Sequence, residues 1–238
     1  MKKIFAIVLA MMLLCSAAMA EVLTHADYIA AELDSEVTIE TYVQDTQSWW
    51  NDNGQGKISV YAQSEDGAYF IYELACEEAD AAKLVPGTKI RVTGYKAEWS
   101  GEVEIMDGTF EFVEGEAFIA EATDVTALLG TEELTAHMNE KVAFKGMTVE
   151  ASKDAAGNDV AFLYNWDGSG EKGSDLYFNV SVNGATYNFC VESYLRGADT
   201  EVYQAVEALA IGDVIDMEGF LYWYNGANPH LTNLTPAA

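Results

Sequence analysis

Positive charge is scarce in this chain: 238 residues carry 12 lysines and arginines against 39 aspartates and glutamates, a formal net charge of −27. Affinity for a phosphate backbone comes largely from Lys and Arg displacing counterions, so this balance predicts no nucleic-acid partner. Anionic membrane surfaces are disfavoured for the same reason. The acid excess is expected to keep the protein soluble; a sharper reading is capture of a divalent cation. Histidine is scarcer still. His25, His137 and His230 are scattered without a short metal-binding spacing, and no nucleophile-elbow, zinc-protease or Gly-rich phosphate-loop signature occurs. Carboxylates are so common that no acid–base pair stands out. The chain therefore reads as non-enzymatic, with no catalytic residue, metal ligand or cofactor assigned.

Long hydrophobic runs are few as well. The opening MKKIFAIVLAMMLLCSAAMA sets Lys2 and Lys3 before an apolar stretch from Ile4 to Leu14 and small residues ending at Ala20. That order predicts a secretory signal peptide, residues 1–20, cleaved after Ala20. The stretch is short for a membrane span, and Leu14 stands where lipidation at Cys15 needs a small residue. With no later transmembrane candidate, the mature protein is expected to be soluble and exported, secreted or otherwise extracytoplasmic. Only Cys76 and Cys190 then remain. Export permits a disulfide between them; two buried thiols are the other reading.

What the sequence does have is a repeat. LVPGTKIRVTGYKAEWSGEVEI from Leu84 matches LAIGDVIDMEGFLYWYNGANPH from Leu209, pairing Gly87 with Gly212, Ile90 with Ile215, Val92 with Met217, Gly94 with Gly219, Tyr95 with Phe220, Trp99 with Tyr224 and Gly101 with Gly226. Upstream, GAYFIYE from Gly67 echoes GATYNFCVE from Gly184, and SEVTIETYVQ from Ser35 echoes EKVAFKGMTVE from Glu140. The chain is an internal duplication, and the division falls into residues 21–118 and 119–238. Each copy opens with a short helix (Tyr28, Ile29, Leu33; then Leu134, Met138) and an alternating strand, Val37, Ile39, Thr41, Val43 in the first and Val142, Phe144 in the second. A polar loop, longer in the second copy, leads to a hairpin turning at Ser64 to Gly67 or at Asn183-Gly184. A helix follows in EEADAAKL or TEVYQAVEAL, stopped near Gly87 or Gly212. Two strands joined at Ser100-Gly101 or Asn225-Gly226 close the unit.

Five strands with a helix between the third and fourth is the order of the OB-fold, a five-stranded Greek-key barrel. Gly94 and Gly219 suit the kink such a curved strand needs. The prediction is an all-β protein with short helices, two tandem OB-fold barrels; another small barrel or sandwich with an inserted helix is the alternative. The phrase L-x-x-G-[TD]-x-I-x-[VM]-x-G-[YF], followed by an aromatic-[SN]-G turn, resembles the OB-fold domains of exported bacterial proteins, both those attached to extracellular nucleases and small secreted proteins of unassigned function. The resemblance covers both copies and implies a binding module without carrying over a catalytic residue.

OB-folds receive ligands on the second and third strands, between the loops that follow strands one and four. Trp49 and Trp50, adjacent in a polar segment, fall in the first of these loops, and adjacent side chains of an extended chain face opposite ways. Trp99 falls at the second loop. These three indoles are expected to converge on an aromatic rim, with Tyr61 and Tyr69 as floor, repeated at Trp166, Tyr222 and Tyr224 in the second copy; Trp223 is expected to point into its barrel. Such a rim would bind an extracellular oligosaccharide or peptide, the rival being that these rings plug the barrel mouth or pack against the other copy in a structural or protein-interaction role in the cell envelope. Asp167, Ser169 and Glu171 have the spacing that starts a calcium loop, yet Lys172 replaces the turn glycine and no closing glutamate follows, which favours a solvated loop.

Overall fold

The computed structural model describes residues 21–237, so the signal-peptide reading of residues 1–20, with Cys15, lies outside the described residues. The first copy contains α1 (His25–Ala30), β1 (Glu36–Thr46), a short β2 (Trp50–Asp52), β3 (Gln55–Ser64), β4 (Gly67–Ala75), α2 (Glu78–Ala81), β5 (Lys89–Trp99) and β6 (Glu102–Phe112). Its strands pair in the order β1-β5-β6-β4-β3, and β3 returns to β1, closing a five-stranded barrel in which β4 and β6 run parallel. The second copy contains β7 (Thr123–Asp124), β8 (Lys141–Glu150), β9 (Ser152–Lys153), β10 (Asp159–Val160), β11 (Leu163–Tyr164), β12 (Leu176–Val182), β13 (Ala185–Val191), α3 (Glu201–Glu207), β14 (Val214–Phe220) and β15 (His230–Pro236). Here β12-β13-β15-β14-β8 closes through β12 to β8, again with its third and fifth strands parallel. Both barrels are OB-folds.

The duplication is visible at the level of single hydrogen bonds. The Gly87 N–H donates to the Val43 carbonyl at 2.8 Å and the Gly212 N–H to the Val149 carbonyl at 2.9 Å, while Val43 and Val149 donate back to Thr88 and Asp213. Both glycines are left-handed, with φ of 90° and 95°, where a side chain would be strained. Gly94 and Gly219 serve a different purpose. Each sits where the strand ladder shifts register, and a Cβ on Gly219 would lie 2.3 Å from the His230 carbonyl oxygen. Glycine is required there by the close approach of the neighbouring strand.

Alternation fills the interiors. Val37, Ile39, Val43, Ile71, Ile90, Val92 and Ile105 form the first core, and Phe144, Val149, Phe178, Phe189, Met217 and Leu231 belong to the second. The lead-in segments depart from expectation. Helix α1 stops at Ala30, with Ile29 and Leu33 exposed and only Tyr28 reaching the core. Lys96 ends it by donating from Nζ to the carbonyls of Ile29 at 2.6 Å and Ala31 at 2.8 Å, the C-terminal oxygens a helix cannot satisfy itself. In the second copy the lead-in is a 3-10 turn, Glu132–His137, that buries Leu134. The long loop is organised by β9, β10 and β11, and Asp154 and Asp167 accept backbone N–H groups of their own turns. Cys76 and Cys190 are buried free thiols. No helix among the described residues is long and apolar enough to cross a membrane.

Candidate functional site

Strand parity determines which side chains leave each barrel. Along β3, Ile58, Val60 and Ala62 belong to the core, so Tyr61 points outward; along β4, Tyr69 and Ile71 point inward, so Phe70 and Tyr72 point outward. An outward face this aromatic requires a cover, and the second barrel supplies one. Tyr61 stacks on Phe220 with ring centres 4.5 Å apart and an interplanar angle of 17°, and its hydroxyl lies 2.6 Å from His230 Nδ1. Phe70 stands edge-on to Tyr222 at 5.3 Å, and Tyr222 stacks on His230 at 4.3 Å.

Polar contacts surround these rings. Ser48 donates its N–H to the Tyr194 carbonyl at 2.8 Å, Lys141 to Gln63 Oε1 at 2.8 Å, Asn225 to the Ser100 carbonyl at 2.7 Å and Trp223 to Glu102 Oε2 at 2.7 Å. Arg196 pairs with Asp45 across the same boundary. Glu102 is fully buried, its Oε1 finds no donor, and burial pushes its carboxyl up to about 8. His230 moves the opposite way. Burial without an acidic partner pulls its imidazole down to about 3, so it stays neutral in its bond to Tyr61.

Beside this junction lies a cleft of about 690 Å³. The first barrel contributes Trp49, Trp50, Phe70 and Tyr72; the second contributes Tyr194, Tyr222 and His230. Trp49 is held by a 2.8 Å hydrogen bond from its Nε1 to the Cys76 carbonyl and leans on Gly56, where a Cβ would meet the indole at 2.9 Å. Trp50, on β2, is half-buried. Two carboxylates complete the lining. Glu73 is neutralised by Lys57 Nζ at 2.6 Å. Among the described residues Glu192 has no cation partner: its oxygens accept from Gln47 Nε2 at 3.2 Å and from the N–H groups of Tyr194 and Leu195 at 3.2 and 2.9 Å. Burial, and then the nearby Asp175, push it up to about 7.

The expected rim is therefore dispersed. Trp49, Trp50 and Tyr222 do line one cleft. Trp99, 61% exposed at the β5–β6 tip, and Trp166, 75% exposed in the long loop, stand outside that lining, as does the exposed Tyr224. Tyr61 and Tyr69 are not an open floor: Tyr69 belongs to the first core beside Tyr28, and Tyr61 is covered by Phe220. Trp223, expected inside its barrel, is instead half-buried at the edge of the second core, and its other side meets Gly101 of the first barrel. The rings that join the barrels are Tyr61, Phe70, Phe220 and Tyr222. Phe70 and Tyr72 were accessible to parity reasoning; Glu192, Tyr194 and His230 carry no local signal. The described residues contain no group of three or more His, Cys, Asp or Glu suited to a metal ion.

No family model and no curated protein matches the chain. Solved structures do. A murine DNA-binding protein bound with double-stranded DNA is 12% identical, with 84% of this chain and 96% of that chain covered and a TM-score of 0.40. The HINa domain of Ifi202 in complex with double-stranded DNA is 11% identical, covering 84% and 94%, at 0.37. A replication protein A heterotrimer bound to single-stranded DNA is 10% identical, covering 85% and 49%, at 0.34. At these values the likeness concerns strand arrangement and argues for no ligand of this chain. Two expectations are corrected beside it. The expectation of no nucleic-acid partner, drawn from a net charge of −27, is withdrawn: these structures hold double- or single-stranded DNA. Nor does the arrangement select an oligosaccharide or peptide, whose supposed platform of converging indoles is dispersed.

Proposed function

We infer that this chain is a binding protein, not an enzyme, whose site is the aromatic cleft where the two barrels meet, and that its ligand presents a ring or similarly flat apolar group. One observation carries the reading: Trp50, Tyr72, Tyr194 and Tyr222 come from both barrels yet line a single cleft of about 690 Å³, a volume within the range of small-molecule sites. Only one imidazole, His230, lies in that lining, and its Nδ1 is engaged by Tyr61, which supports binding over proton transfer. The test is competition at the cleft. Titration with a library of aromatic small molecules, followed by tryptophan fluorescence and calorimetry, should give saturable binding that Trp50→Ala and Tyr194→Ala each weaken at least ~10-fold, the loss of one aromatic anchor. Binding unaffected by both substitutions would locate the site elsewhere. We further propose that residues 21–118 and 119–238 are its two domains and that it acts after export. The order of charges and apolar residues in MKKIFAIVLAMMLLCSAAMA supports the latter, and a secreted product whose first residue is not Glu21 would argue against that cleavage.

A further inference from the structure

We propose that the cleft is selective for organic cations, namely an alkylated or protonated amine whose ammonium head rests among the rings with Glu192 as its counter-charge. This rests on the cleft being the binding site, and it deepens that reading by assigning ligand charge. The local lining decides the matter, independently of the charge of the whole chain. Among the described residues no lysine or arginine lines the cleft, and the carboxylates there are Glu73 and Glu192. Glu73 is already paired with Lys57, which leaves Glu192 as the acidic group without a cation. It is nearly buried, and the three N–H groups it accepts from hold it in place. A buried carboxylate is costly unless a positive charge joins it.

The walls narrow the cation further. Indole and phenol faces attract a positive charge through their ring quadrupoles, most strongly when water is excluded. A hard metal ion needs six or more oxygen ligands, and this lining is chiefly aromatic. An alkylammonium carries its own apolar surface, is more weakly hydrated the more fully it is alkylated, and needs one counter-ion together with ring faces. A ring carrying phosphate would place its negative charge beside Glu73 and Glu192.

The experiment compares charge at constant shape. The intact protein is titrated calorimetrically with choline and with its neutral carbon isostere 3,3-dimethylbutan-1-ol, then with benzyltrimethylammonium, benzyl alcohol and a thymidine oligonucleotide. The expected result is that each cation binds at least ~10-fold more tightly than its neutral counterpart, a gap of about 1.4 kcal/mol. Glu192→Gln should erase that gap, and Tyr194→Ala, which alters an exposed ring, should weaken the cations while leaving the fold intact. Trp166→Phe, outside the lining, should change nothing. Equal binding of cation and neutral isostere overturns the charge assignment while leaving the cleft as a site. Oligonucleotide binding that displaces benzyltrimethylammonium, or that occurs in place of it, overturns the assignment too. If no probe of either charge binds, both the assignment and the cleft reading fall.

Discussion

Tyr95 and Phe220 occupy the same position in two copies of one barrel, each directly after the kink glycine, and they share no surroundings. Tyr95 is 46% exposed, whereas Phe220 is buried against Tyr61. The neighbouring loops diverge in the same way. In the first copy β5 and β6 remain paired to the tip, Trp99 opposite Glu102; in the second, β14 ends at Phe220 and β15 begins only at His230. The chain released between them supplies Tyr222 to the cleft and Trp223 and Asn225 to hydrogen bonds with the first barrel. Two like scaffolds therefore meet through unlike surfaces. The shared core is maintained by interior geometry, which both copies must satisfy, while the outward positions were free to become a junction in one copy and solvent-facing surface in the other.

The largest expected effect tests whether the shared positions are equally demanding. Gly219→Val forces a Cβ against a backbone carbonyl and should cost about 3 kcal/mol or more, the scale of severe strain or overpacking. Gly94→Val meets the Met106 carbonyl at 2.8 Å and the Ile105 side chain at 2.7 Å, a less severe overlap than the 2.3 Å at Gly219, and should cost less in urea unfolding. An equal loss in both would mean that the two kinks are mechanically the same.

Next in size is the junction itself. Tyr61→Phe leaves His230 Nδ1 without its partner inside the protein and should destabilise by about 1–3 kcal/mol. The counterpart on the free surface, Tyr95→Phe, should be nearly silent. Similar losses for the two would deny that covering by the second barrel distinguishes these faces.

The pH dependence of stability separates the junction from both cores. Glu102 and Glu192 stand at about 8 and about 7 when folded, above the ordinary 4.5, so the folded state holds protons that the unfolded state has released. Their contribution is complete below pH 4.5 and is withdrawn as pH rises through 7 to 8. His230 acts in the opposite sense: at about 3 rather than 6.5, it removes stability as pH falls below 6.5. Between pH 6.5 and 8 the carboxylates act without it. Stability should fall across that interval, by up to ~1 kcal/mol per pH unit for each carboxylate, read as a declining melting temperature, and Glu102→Gln should flatten the decline. A flat profile for the unsubstituted protein would show that Glu102 and Glu192 are both solvated.

Smallest of all are the exposed tips. Trp99→Ser and Trp166→Ser should each change stability by less than about 0.5 kcal/mol, because their rings cover little. A loss of 2 kcal/mol at either would mean that the tip is packed in solution.

Much of this is legible in the sequence. The register Gly87 to Gly212, the hairpin turn at Asn183-Gly184 and the inward run Val37, Ile39, Thr41, Val43 are imposed by backbone conformation within a few residues. Tyr69 lies on the face opposite to the expected one, because a strand alternates with period two and a single step of parity exchanges core for surface. Tyr61 had the correct parity and still was not a ligand floor, since its outward face is closed by Phe220, 159 positions later.

The sequence alone determined two barrels, their strand order and their kinks, because alternation, turn chemistry and close backbone approach are local physics that each copy obeys by itself. It also determined the shortage of positive charge, without saying where that shortage matters. Tertiary structure alone decided that Tyr61 would be buried, that Trp50 and Tyr194 would share a cleft, and that Glu192 would lack a cation within it. Each of those facts depends on the distance between residues of different barrels, and no local rule of chain geometry specifies that distance.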